Sequence, residues 1–145
     1  MKTKDLMEVP PTVVQEDSTI DEAASAMWEG NIGSVIVVDK AGVMVGILTE
    51  RDVLFSVTKA LTGKGVPVSS IMSKTSLKAS PNESIITAVD RMTKANVRHL
   101  PVVNKEGRPV GMISMRDAMS ISEPLLKFVL NSAHKKQPEA ESEDS

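Results

Sequence analysis

The chain has 145 residues, 25% of them charged, a formal net charge of −2 and no cysteine, which excludes a disulfide framework and a thiolate metal site and favours a reducing, cytoplasmic setting. No apolar run approaches the roughly 20 residues of a membrane helix, and MKTKDLMEVPP at the amino terminus lacks the apolar stretch of a secretory signal, so a soluble, uncleaved protein is expected. One Trp, two Phe and no Tyr, on a body without net charge, provide neither the stacking platform nor the basic face of a nucleic-acid binder.

In chain order, Leu6-Met7 is followed by the Pro10 to Val14 segment and then by Ile20, Ala23, Ala24, Met27 and Trp28, one stripe of a helix that Thr19 and Glu22 can open as a capping box. The β-branched run Ser34 to Val38 predicts a buried strand, Asp39 to Gly42 a tight turn with Gly at a positive φ, and Met44 to Leu48 a second strand. A helix opens near Asp52, is helical over Val53 to Leu61, and ends before Gly63 and Gly65. From Val68 the same order returns. Ile85, Ala88, Val89 and Met92 form a helical stripe, followed by a strand at His99 to Val103, a turn at Asn104 to Gly107, a strand at Pro109 to Ile113 and a helix near Asp117. Pro124 suits the first turn of a last helix carrying Leu125, Leu126, Val129 and Leu130, expected to cover the core. In the tail, Lys135 and Lys136 stand against Glu139, Glu141, Glu143 and Asp144, which accounts for the whole net charge and predicts a disordered, proline-interrupted end.

The recurrence is a duplication. At an offset of 65 the chain matches itself without a gap from Leu6: Ile20, Ala23, Met27, Asn31, Gly42, Gly46 and Asp52 recur as Ile85, Ala88, Met92, Asn96, Gly107, Gly111 and Asp117. Two copies of one unit related by a pseudo-twofold axis are therefore expected, with residues 1–62 as the first repeat and its linker helix, 63–134 as the second repeat and carboxy-terminal helix, and 135–145 as the tail.

The order Leu6-Met7, Ile20 to Met27, Gly33 to Asp39, Gly42 and Val45 to Asp52 resembles a CBS (cystathionine-β-synthase) domain, and its second copy resembles a CBS pair, or Bateman module. The resemblance covers the chain except its end. It implies an α/β fold of two repeats, each with a small, mostly three-stranded sheet and two helices, packed face to face with two related ligand sites between them. It also implies a regulatory module that binds AMP, ADP or ATP, forms a homodimer through its helices, and acts on an effector protein that the sequence does not name. S-adenosylmethionine or another adenosine ligand, and a structural dimerisation module without ligand, are the alternatives.

Two motifs carry the site. Thr49-Glu-Arg-Asp52 and Ser114-Met-Arg-Asp117 stand where a strand runs into a helix, so each reads either as a capping box or as a ribose-binding carboxylate beside a hydroxyl and a helix start. Arg98-His99, whose counterpart in the first copy is Gly33-Ser34, is costly to bury unpaired, so it reads either as a solvated or salt-bridged pair at the strand's exposed mouth or, as the resemblance implies, as a partner of a nucleotide phosphate. From the resemblance, site one would combine Thr49, Arg51, Asp52 and Lys78 with Arg98 and His99. Site two would combine Thr12, Gly33, Ser34, Val35 and Ile36 with Ser114, Arg116 and Asp117. A catalytic role is not expected: His99 and His134 are far apart with no cysteine, Gly63-Lys-Gly65 lacks the rest of a P-loop, and no nucleophile, base and orienter can be assigned together.

Overall fold

The structure, a computed structural model, describes residues 1–75, 77–120, 128, 131 and 132. Its elements are β1 (Val13–Gln15), α1 (Ile20–Gly30), β2 (Ser34–Val38), β3 (Met44–Thr49), α2 (Glu50–Thr58), α3 (Ile85–Ala95), β4 (His99–Val103), β5 (Pro109–Ser114) and α4 (Met115–Ser120). The helix expected from Pro124 with Leu125, Leu126, Val129 and Leu130, and the tail 135–145, lie outside the described residues. No helix among the described residues is long and apolar enough to cross a membrane.

Local chemistry repeats with the sequence. Ile20, Ala23 and Met27 bury one stripe of α1, and Ile85, Ala88 and Met92 bury that of α3. Thr19 accepts a hydrogen bond from the Glu22 amide, Ser84 from the Ile86 amide, and both helices end on an asparagine in the left-handed region, Asn31 and Asn96. In the hairpins, Asp39 Oδ1 accepts from the amides of Ala41 and Val43, and Asn104 Oδ1 from those of Glu106 and Arg108. Gly42 and Gly107 follow at φ 82° and 81°, the conformation the two-strand turn requires. The linker helix α2 starts earlier and ends earlier than its apolar pattern predicts, because Thr49 caps it and Ala60 already has a positive φ.

The sheets are alike but not equal. In the first, β1 runs parallel to β2 and β2 antiparallel to β3; in the second, β4 pairs antiparallel with β5, and the place of β1 is held by one parallel bridge, Ala79 to Val102. The register is conserved, since Val14 faces Val37 as Ala79 faces Val102. The difference follows from side chains: Val13-Val14-Gln15 favours an extended strand, whereas its counterpart Lys78-Ala79-Ser80 lacks β-branching and runs into Pro81, which has no amide hydrogen to donate.

Packing crosses between the copies. Leu6 and Met7 pack on the second repeat's core around Ala88, Met92, Leu100 and Ile113, while Ile71 and Met72 pack on the first repeat's core around Ala23, Val35, Leu48 and Val68. A third cluster joins Ile36, Val38 and Ile47 to Met112, so the two sheets face each other across a shared interior. Backbone pairing fixes the exchange: the Glu8 amide donates to the Met112 carbonyl at 2.9 Å and its carbonyl accepts from the Met112 amide at 3.2 Å, and the Ser73 amide donates to the Ile47 carbonyl at 2.9 Å while its carbonyl accepts from the Ile47 amide at 3.0 Å. Each lead-in methionine lies over a glycine. A Cβ on Gly46 would come within 2.7 Å of the Ser73 carbonyl oxygen and 2.8 Å of Met72 Sδ; one on Gly111 would meet Met7 Sδ at 2.5 Å and Cγ at 2.7 Å.

The obstruction at Gly46 includes backbone, whereas at Gly111 it is one flexible side chain. Gly46→Ala is therefore expected to cost about 2–3 kcal/mol and Gly111→Ala about 1 kcal/mol less, read from chemical denaturation midpoints. Equal losses would show that Met7 is held as rigidly as the Ser73 backbone.

Candidate functional site

The hairpin of the second repeat ends where His99 pairs with Ser114 and Ser114 opens α4. Ser114 Oγ accepts from the Asp117 amide at 3.0 Å, and the Arg98 carbonyl accepts from the Met115 amide at 2.7 Å. The pairing thus gathers Arg98, His99, Arg116 and Asp117 at one end of β4–β5. Across the pseudo-twofold axis stands the matching end of β2. A Cβ on Gly33 would lie 3.1 Å from His99 Cε1 and 3.2 Å from Nε2, so the glycine lets the imidazole rest against the backbone. Pro10, Pro11 and Thr12 make a further wall, with the Thr12 carbonyl held by the Ile36 amide at 3.1 Å. These surfaces enclose a cleft of about 350 Å³, within the range of small-molecule sites.

Two buried side-chain oxygens have no hydrogen-bond partner among the described residues, Ser34 Oγ and Asp117 Oδ2, and both residues line this cleft. Leaving such a group unpaired costs about 1–3 kcal/mol, which makes the cleft a place where a donor would be welcomed.

Of the residues expected in site two, Thr12, Gly33, Ser34, Ser114, Arg116 and Asp117 come together here. Val35 and Ile36 do not: both side chains are fully buried in the core, Val35 beneath α1 and Ile36 between the sheets. Arg98 and His99, expected to complete the Asp52 site, line the Asp117 cleft instead, because strand pairing ties them to Ser114 of their own hairpin. Asp52 is occupied locally. Its Oδ2 accepts from the Thr49 amide (2.9 Å) and hydroxyl (3.1 Å), while Thr49 Oγ1 accepts from the Asp52 amide at 3.4 Å, a closed capping box. Arg51 and Lys78 are exposed, and neither lines the Asp117 cleft; the Lys78 carbonyl is held by Arg91, itself paired with Glu83.

Glu8 and Glu50 line the cleft and were not anticipated. In the duplication the counterpart of Glu8 is Ser73, one difference among many, and only the cross-repeat pairing brings Glu8 to the site. The lining therefore sets Arg98 and Arg116 against Glu8, Glu50 and Asp117. Burial pushes the His99 imidazole below its ordinary value, and nearby Arg98 adds to this; Glu50 and Asp117 pull the other way without prevailing. Among the described residues no group of His, Asp and Glu is placed to hold a metal ion.

A tandem α/β repeat with a polar cleft between its copies defines a class of duplicated two-sheet fold. The sequence profile of the CBS domain matches residues 4–59 and again 68–123, and the chain belongs to the CBS domain family. It is 35% identical over 114 residues to the CBS domain-containing protein YhcV of Bacillus subtilis, covering 79% of this chain and 80% of that one. An uncharacterized 17.7 kDa protein of Acidianus ambivalens is 36% identical over 107 residues, with 72% of this chain and 63% of the relative covered. The homoserine O-acetyltransferase of Methanococcoides burtonii is 34% identical over 113 residues, 78% of this chain and 22% of the enzyme. The chain thus spans less than two thirds of the Acidianus protein and under a quarter of the acetyltransferase. Among solved structures, the CBS domain protein PAE2072 of Pyrobaculum aerophilum, complexed with AMP, superposes with a TM-score of 0.80 at 26% identity, covering 90% of this chain and 99% of that one. The CBS domain pair of MJ0100, in complex with 5′-methylthioadenosine and S-adenosyl-L-methionine, gives 0.76 at 27% identity, with 82% and 93% covered.

The lowered His99 value has a consequence for folding. Between the ordinary histidine value of about 6.5 and the lower folded value, the unfolded chain binds a proton that the folded chain refuses, so stability falls as pH drops through that window. Denaturation curves of wild type and His99→Gln at a series of pH values should show a shallower acid decline in the variant. Parallel curves would mean that His99 titrates alike in both states.

Proposed function

We propose that this chain is a regulatory, non-catalytic module whose Asp117 cleft binds an adenosine-containing ligand, with an adenine nucleotide (AMP, ADP or ATP) as the leading candidate. The observation that carries the reading is the convergence of two unpartnered buried oxygens, Ser34 Oγ and Asp117 Oδ2, on one cleft that also holds Arg98, His99 and Arg116. An ionised carboxylate only accepts hydrogen bonds, so Asp117 suits the vicinal hydroxyls of a ribose. Arg98 and Arg116 suit a phosphate, with His99 beside them. The AMP complex of PAE2072 and the adenosine ligands of MJ0100 support the class of ligand. S-adenosylmethionine is the second reading, favoured by the three carboxylates of the lining, which suit a ligand with a cationic sulfonium.

Regulation requires that the ligand bind two arrangements of the repeats unequally. The shared interior of Ile36, Ile47 and Met112 is the surface across which such a shift would act. The match to a segment of an acetyltransferase supports use beside an effector, here an unidentified protein in the cytoplasm. Trp28, 87% exposed on α1, with Leu54 and Phe55 on α2, supports a homodimer formed through the helices, and light scattering at micromolar concentration should report twice the 15.6 kDa chain mass.

Calorimetric titration with AMP, ATP, NADH and S-adenosylmethionine tests the ligand directly; no heat with any of them at millimolar concentration would refute the proposal. Asp117→Ala and Arg98→Ala are each expected to weaken AMP about tenfold or more, the size of one charge-assisted bond, while Asp52→Ala leaves that site intact. With adenosine in place of AMP the Arg98 effect should vanish and the Asp117 effect persist. Equal losses for both ligands on Arg98→Ala would move the phosphate elsewhere.

A further inference from the structure

Alternation along β2 settles where Ser34 points. Val35 and Val37 pack beneath α1 with Ala23 and Met27, so Ile36, Val38 and, by the same period of two, Ser34 face the other copy. Ser34 opens the strand and is 4% exposed, and among the described residues its Oγ has no hydrogen-bond partner. Its counterpart in the duplication is His99, whose imidazole rests on Gly33, so the first copy sets a small hydroxyl where the second sets a ring and leaves room on its own side of the cleft. The lining is graded by depth. Arg98 and Arg116 are exposed, Asp117 is half-buried, and Ser34 lies lowest beside Met112, which is 7% exposed and shares a cluster with Ile36.

We propose that Ser34 is a specificity-determining residue of this cleft, whose buried hydroxyl hydrogen-bonds the polar edge of the ligand's heterocyclic base. The inference rests on the adenosine reading above, which gives Asp117 to the ribose and Arg98 and Arg116 to the phosphate and leaves this hydroxyl without a role. Depth decides between the parts of the ligand. A phosphate would have to shed its water and leave two exposed arginines behind at the mouth in order to reach Ser34, and an ion buried without a charged partner is strongly disfavoured. A purine is uncharged and flat. Its faces suit Met112 and Ile32, and its edge carries nitrogens that need partners once they are buried. Serine offers one O–H donor and two acceptor lone pairs, so it can meet a ring nitrogen or an exocyclic amino group. In the free protein the unpaired hydroxyl destabilises the fold, and a bound base removes that penalty. A serine kept for the fold alone behaves in the opposite way, because its removal destabilises the free protein and leaves the ligand unaffected.

Ser34→Ala tests the two halves of this statement together. Calorimetric titration should show adenosine and AMP weakened alike, by about three- to tenfold, the size of one neutral hydrogen bond. Chemical denaturation of the free variant should give a midpoint equal to or above that of wild type, since alanine removes an unpaired buried oxygen. A crystal structure of the wild-type AMP complex should place Ser34 Oγ about 3 Å from a nitrogen of the base. Unchanged affinity, a loss confined to AMP, a lowered midpoint, or an Oγ that meets only the ribose, the phosphate or an ordered water would each overturn the role of Ser34 while leaving the adenosine site standing. Failure of wild type to bind adenosine or AMP at all would overturn the site and this inference together.

Discussion

Neither repeat completes its own core. The residues that precede each copy in sequence, Leu6-Met7 and Ile71-Met72, pack half-buried against the other copy's core, locked by reciprocal backbone hydrogen bonds between Glu8 and Met112 and between Ser73 and Ile47. The two strands that receive them carry glycine at the contact, Gly46 and Gly111, because a methionine side chain and a chain backbone must approach where a Cβ would stand. Once this exchange is made, the sheets have to face each other, Met112 closes on Ile36 and Ile47, and the cleft at the ends of β2 and β4 has walls of fixed separation. A change that loosens either lead-in acts on both cores and on the cleft.

Duplication gives two equivalent positions, and small differences in side chains give them unlike states. Asp52 turns back on Thr49 and satisfies the start of α2, whereas Asp117 receives only the cap on its own amide and keeps an unpartnered oxygen towards the cleft. Gly33-Ser34 opposite Arg98-His99 places the small pair and the basic pair on the same cleft from opposite sides, one making room for the other. Both pairs therefore stand at the cleft that Asp117 lines.

Much of this fold could be read from the chain because its determinants are local and repeated. Helical stripes, asparagine and glycine at positive φ, hydroxyl caps and β-branched runs each depend on neighbours within a few residues, and the 65-residue offset doubled every signal. The third strand of the second sheet was the exception, where Lys78-Ala79-Ser80 gave too little extended preference to make more than one bridge.

The sequence by itself determined the repeated unit, its order of elements and the carboxylate, hydroxyl and guanidinium groups offered at the strand-to-helix junctions, since those follow from spacing and residue chemistry. Only the tertiary structure decided which of them meet. Pairing His99 with Ser114 joined the basic pair to Asp117 and not to Asp52, full burial took Val35 and Ile36 out of the cleft, and the exchange of lead-ins brought Glu8 to a carboxylate 109 residues along the chain. These outcomes depend on strand register and on contacts between the copies, and no local preference encodes either one.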